Sequence, residues 1–184
     1  MSGASVHVEP RGLLQIAQHY VRELVYGAND GIVTTFAVVA GVAGGGLSMR
    51  VVLVIGAANL FADGLSMAVG NYLAIRSHES VLAAQQLPEE EAFPFRHAGA
   101  TFLAFVTAGA VPLVPYMVPN LSVDRYAASA VCTALAMFAF GASRARIGNV
   151  RWWTAGLEML GLGALVAVVA YASGAVVAAV IGGA

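Results

Sequence analysis

The chain has 184 residues, 59% of them hydrophobic and 10% charged, with a mean hydropathy of +0.79. That is more apolar surface than a soluble domain of this length can hide in one core, so the composition reads as an integral membrane protein surrounded by lipid bilayer. The nine basic residues are all arginine and the formal net charge is only −1, which leaves no basic field to attract a nucleic acid; the lone Cys132 excludes an internal disulfide and reads as a small core residue.

Residues 1–10 carry no basic stretch leading into an apolar run, so no secretory signal is expected and the first span should persist in the mature protein. From Leu13 to Val25, the residues Leu13, Ile16, Ala17, Tyr20, Val21, Leu24 and Val25 fall on one helical face, with Gln15, Gln18, His19, Arg22 and Glu23 opposite. That period fits an amphipathic helix lying in the membrane interface, or the solvated start of a longer first helix. With a break expected at Gly27, the chain divides into an amphipathic segment, 1–27, and a membrane domain, 28–184.

The membrane domain reads as all-α with five spans, at about 28–48, 51–75, 98–119, 126–143 and 153–181. Residues 76–97 form the longest polar connection, helical through Gln86, broken at Pro88 and carrying an acidic knot at Glu89, Glu90 and Glu91. Pro112, Pro115 and Pro119 should kink or end the third span. Trp152 and Trp153 stand where an interfacial aromatic belt would place them.

Arginines orient the bundle. Arg11, Arg22, Arg76, Arg96, Arg144, Arg146 and Arg151 fall on one side and only Arg50 and Arg125 on the other, so the amino terminus is expected in the cytoplasm. Asp30, Met67, Asn71 and Glu158 then share the cytoplasmic half, with Asp63 nearer the midplane. An odd number of spans and the lack of an internal repeat argue against two inverted halves.

The second span carries the chemistry. Asn59, Asp63, Met67 and Asn71 recur every fourth residue and climb one side of a helix, a ladder about 18 Å tall. A carboxylate at Asp63 costs about 2.5–3.5 kcal/mol in lipid unless it faces protein, water or a cation. Aspartate, asparagine and methionine together suit a borderline divalent metal such as Fe²⁺ better than Ca²⁺ or Cu⁺, and the carboxylates can take up protons as metal leaves. Gly41 and Gly45 form a small-xxx-small pair in the first span, beside Thr34 and Ala37, and a symmetric dimer would double every ligand.

At these residues the chain resembles the vacuolar iron transporter family. The resemblance rests on Y-G-A-N-D-G-I-V-T-T-F-A-V-V-A-G-V-A-G from Tyr26 to Gly44, A-D-G-L-S-M-A-V-G-N-Y-L-A from Ala62 to Ala74, and G-L-E-M-L from Gly156 to Leu160. It implies a homodimer of five-helix subunits moving Fe²⁺, and often Mn²⁺, out of the cytoplasm in exchange for protons, as cargo rather than as a tightly bound cofactor. It also implies that Asp30 and Met67 line a pathway at the dimer axis. The iron-importing branch usually has glutamate eight residues before that methionine, where this chain has Asn59, with Asp63 one turn later. That branch also inserts a glutamate-rich cytoplasmic domain between the second and third spans. The connection at 76–97 is too short for it, so the chain looks like the small bacterial or nodulin-like members, and a bacterial plasma membrane is expected before a vacuolar one.

The candidate metal residues are therefore Asp30, Asp63, Met67, Asn59, Asn71 and Glu158. Each has a plainer reading: Asp30 as a helix cap, Met67 as core filler, Asn59 and Asn71 as interhelical hydrogen-bonders, and Glu158 as a group that snorkels to the interface or pairs with Arg151. His78, Glu79, His97 and the acidic knot read as a solvated linker before a metal-capture site. A metal transporter leads, with a non-transporting scaffold or regulator as the alternative. An enzyme is not expected, because His7, His19, His78 and His97 all fall outside the spans and no H-E-x-x-H motif occurs.

Overall fold

The computed structural model describes residues 12–145 and 151–182. Residues 1–11 and 146–150, and with them the signal-sequence reading, His7, Arg11 and Arg146, lie outside the described residues. Among the described residues the fold is all helical: α1 (Leu13–His19), α2 (Val21–Gly44), α3 (Met49–Ala84), α4 (Pro94–Gly109), a 3-10 turn (Val111–Leu113), α5 (Val114–Met117), α6 (Arg125–Arg144) and α7 (Trp152–Gly182). Five stretches are long and apolar enough to cross a membrane: Val21–Gly44, Met49–Ala84, Pro94–Met117, Arg125–Ser143 and Trp152–Gly182.

α2 is the hub, packing against α3, α4, α6 and α7, with Ile32, Thr35, Val39 and Ala40 sealed from solvent. The discontinuity near the amino terminus falls at Tyr20, not at Gly27 as the sequence suggests. α2 runs straight through Gly27 because that glycine is where α4 crosses: a Cβ there would sit 2.7 Å from the Thr101 carbonyl oxygen. One turn later, a Cβ on Gly31 would collide with the Phe105 carbonyl. Helix propensity loses to the gain from bringing two backbones together.

The Gly41 pair allows close contact, as its spacing suggests, but with a helix of the same chain. A Cβ on Gly174 of α7 would run into the Gly41 carbonyl, and one on Gly44 into that of Tyr171. This face of α2 is consumed inside the subunit.

The third span breaks where its prolines require. α4 ends at Gly109, the chain tightens through Pro112, and α5 continues from Val114. The Ser129 hydroxyl of α6 donates to the Pro112 carbonyl at 2.6 Å, so a buried acceptor in the irregular turn keeps a partner.

α3 extends well past the apolar run, to Ala84, about 54 Å of helix in all. Its end is a Schellman motif: Leu87 N–H donates to the Leu82 carbonyl and Gln86 N–H to that of Ala83, with Gln86 at φ 59°. Glycine is the usual residue there because a Cβ costs about 1–2 kcal/mol in the left-handed region. Gln86→Gly should therefore raise the melting temperature in detergent, by the equivalent of about 1 kcal/mol. A lowered melting temperature would mean that the glutamine side chain contributes more than its backbone strain costs.

Among the described residues, large apolar faces of α3 and α7 are left exposed: Val54, Phe61, Leu65, Val69 and Leu73 on the first, and Leu162, Leu165, Val168, Val176 and Val180 on the second. With Trp152 and Trp153 also exposed, these are surfaces for lipid or for another subunit.

Candidate functional site

Three parallel lines run along α3. Gly56, Leu60, Gly64 and Ala68 are buried, with Gly64 lying against Phe102, Phe105 and Val106 of α4. Ala58, Ala62, Ser66 and Gly70 are exposed. Between them lies the polar ladder of Asn59, Asp63, Met67 and Asn71, each half-buried. The ladder thus follows the border between core and exterior instead of facing fully inward.

Asp30 lies nine residues into α2, about 14 Å along its axis, which excludes the helix-cap reading. Its neighbour Gly31 presses on Phe105, and the Phe105 ring also touches Gly64, so Asp30 and Asp63 come to one level of the bundle. The sequence places Asp63 deeper than Asp30; the earlier start of α2 removes that difference. The Thr34 hydroxyl is committed to the Asp30 carbonyl at 2.7 Å, one turn back in the same helix.

One turn back from the two aspartates, toward the connection between α3 and α4, a cleft of about 330 Å³ is lined by Glu23, Tyr26, Met67, Asn71 and Thr101 among others. Met67 also packs against the core. The Asn71 side-chain amide donates to the Thr101 hydroxyl at 2.9 Å, which in turn donates to the His97 carbonyl at 3.0 Å. Asn71 therefore bonds a neighbouring helix, and only its carbonyl oxygen is left to offer a cation. Asn59 stands two turns beyond Met67, outside this cleft. Glu158 is exposed on α7 and does not line it either, whereas the adjacent Met159 is buried against Ala28 and Ile32.

At the mouth of the cleft the structure assembles a group that the sequence does not announce. His97 at the start of α4 has its Nε2 2.9 Å from Glu91 Oε2 and its Nδ1 3.1 Å from Glu23 Oε1. The second approach is a charge contact without hydrogen-bond alignment, and Glu23 Oε2 has no hydrogen-bond partner. His19, the last residue of α1, brings Nε2 to 3.8 Å from the same Glu91 oxygen. The rings of His19, Tyr20 and His97 pack at centroid distances of 4.7–5.1 Å. Glu23 and His97 are 5% and 3% exposed, so neither belongs to a solvated face.

Fold and site together define an all-helical integral membrane protein in which carboxylate, amide, thioether and imidazole groups gather around one cleft. The sequence profile of the VIT family matches residues 21–93 and 78–175, and the chain belongs to that family. It is 26% identical to "Vacuolar iron transporter 1" of Arabidopsis thaliana, with 84% of this chain and 85% of the relative aligned. It is 30% identical to "Vacuolar iron transporter homolog 1" of Oryza sativa subsp. japonica, over 83% of this chain and 71% of the relative. A 71-residue stretch is 44% identical to the "Vacuolar iron transporter" of Toxoplasma gondii, covering 39% of this chain and 24% of that one. The Arabidopsis alignment takes 212 positions and the rice one 165 for nearly the same share of this chain, so the Arabidopsis protein carries the longer insertions relative to it.

Proposed function

We propose that this protein transports divalent metal, Fe²⁺ and/or Mn²⁺, out of the cytoplasm in exchange for protons, through a pathway at the axis of a homodimer. The observation that carries the reading is the placing of Asp30 and Asp63 at one level, one turn beyond Met67 and the polar cleft. The names of the relatives, vacuolar iron transporters, support the cargo. Two carboxylates at one level are neutralised equally well by one divalent cation or by protons, so they offer a natural place for the two to exchange. Met67 adds a thioether that favours a borderline ion over Mg²⁺ or Ca²⁺.

Dimerisation follows from the border position of the ladder. A pathway lined on one side only would be open to lipid, and the exposed line of Ala58, Ala62, Ser66 and Gly70 beside it allows a second α3 to approach closely. A twofold partner there would face a second ladder across the axis. In the proposed orientation the amino terminus and the connection between α3 and α4 are cytoplasmic, and the membrane is a bacterial plasma membrane. No covalent chemistry is needed, and no enzymatic role is proposed.

Purified protein in vesicles loaded with a metal-quenched fluorophore tests this. Fe²⁺ or Mn²⁺ added at the cytoplasmic face should quench it, and acidifying the interior should speed quenching several-fold, because protons then run outward as metal runs inward. Flux indifferent to the gradient would remove proton exchange. Absence of flux for both metals would leave the scaffold reading in its place.

A further inference from the structure

We infer that His19, Glu91 and His97 form a separate binding site for a divalent transition-metal ion at the mouth of the cleft, with Glu23 as the residue that positions His97. One ligand atom from each of the three lies within 4.8 Å of the others, close to what a single ion requires once each atom approaches it to about 2.0–2.2 Å. Three separate elements supply them: the end of α1, the connection after α3 and the start of α4. Two imidazoles and a carboxylate around open positions suit Fe²⁺, Mn²⁺, Co²⁺ or Zn²⁺, whereas Mg²⁺ and Ca²⁺ prefer all-oxygen sites.

Glu23 supplies the second, independent observation. Its side chain is 6% exposed, it stands 3.1 Å from His97 Nδ1, and its other oxygen has no hydrogen-bond partner. A carboxylate 3.1 Å from Nδ1 is placed to take the ring proton on that side when an ion occupies the Nε2 lone pair, while in the ion-free protein Nε2 lies at hydrogen-bond distance from Glu91. Glu23 and Glu91 bring two carboxylates to the two imidazoles, a donor set that suits a divalent cation. A group built only to latch the connection onto the bundle would not need the buried second carboxylate.

Glu23 also lines the cleft that contains Met67 and Asn71, so an ion released from the histidines has a polar wall to follow. That the ion held here is the transported one rests on the proposed function; the site itself stands on its own geometry.

Cobalt(II) is the probe, read by its visible absorption in detergent-purified full-length protein carrying Asp30→Asn and Met67→Ala, so that the deeper site is weakened. One equivalent per chain with a histidine-type spectrum should remain. Glu91→Gln or His19→Gln should then weaken Co²⁺ binding by more than the roughly 10–100-fold expected for Glu23→Gln, which loses only an orienting group. Mg²⁺ in excess should not compete. Unchanged Co²⁺ titrations in both His19→Gln and Glu91→Gln overturn the site. So does a result in which these variants lower the metal-free melting temperature yet bind Co²⁺ as before, which identifies a structural latch. Co²⁺ binding that persists while vesicle flux is absent from wild-type protein upholds the site and removes the transport reading alone.

Discussion

Asp63→Asn should reduce metal flux in reconstituted vesicles by two orders of magnitude or more while leaving the protein folded. The substitution keeps size and hydrogen-bonding shape and deletes one of the two carboxylates that α2 and α3 bring to one level of the bundle. With the cation bound, two anions and a divalent ion form a half-buried ionic group. Removing one partner from such a group costs about 3–5 kcal/mol, each 1.4 kcal/mol being about tenfold in a rate or affinity. Asp30→Asn should match it, because the pair neutralises the ion as a unit and either loss leaves one charge against two. Asn59→Ala should cost far less, since that residue stands outside the cleft and one turn beyond the aspartates. The check is initial quenching rate at matched protein density for all three variants. An Asp63→Asn rate within about threefold of wild type would take Asp63 out of the site and leave Asp30 and Met67 to carry it.

Those predictions use residues that the sequence exposes readily, and the reason is physical. A charge inside a twenty-residue apolar run stands out because lipid has nothing to offer it, and a four-residue period survives folding because a helix preserves it. The five spans, the helical extension of α3 and the proline-broken end of the third span are legible on the same grounds: each depends on local sequence alone. Asp30 shows where that legibility stops. Its depth depends on where α2 begins, and α2 begins at Val21 and runs on through Gly27, which serves a contact with Thr101 far along the chain instead of a break.

The histidine and glutamate group is hidden for the same reason. His19 and Glu23 have the look of a solvated face, and Glu91 and His97 of a polar linker, until α4 covers the first pair and the connection folds back to bring in Glu91. The one local hint is the spacing of His97, Thr101 and Phe105, which places an imidazole, a hydroxyl and the α2-facing ring on one side of α4. Gly41 misleads in a different way: its spacing marks close helix contact, but sequence alone does not say with which helix, and the answer is α7. Glu158 shows the converse, a charge in an apolar span that the fold leaves exposed, away from the cleft.

The dependence of the whole site on one helix crossing yields the second large effect. Gly31→Ala should destabilise the protein and Gly31→Leu should prevent recovery of monodisperse material. A Cβ at Gly31 meets the Phe105 backbone, and a Cβ on Gly109 would in turn lie 2.7 Å from the Gly31 carbonyl oxygen, so each helix occupies the space that the other leaves open. Backbone cannot rotate away as a side chain can; α4 must move out, and Phe105, fully buried at present, loses its packing with it. Overpacking of this kind costs about 1–3 kcal/mol, roughly 2–12 °C in melting temperature for a chain of this size. The contact between Glu23 and His97 spans the same crossing, and the Thr101 hydroxyl that Asn71 of α3 bonds is carried on the helix that must move, so Gly31→Ala should weaken flux even where it folds. Gly161→Ala is the control: nothing lies within 4 Å of a Cβ there, and alanine should hold or raise the melting temperature. If Gly31→Ala melts with wild type, then α2 and α4 are not held at their spacing by these glycines, and the shared level of Asp30 and Asp63 needs another cause.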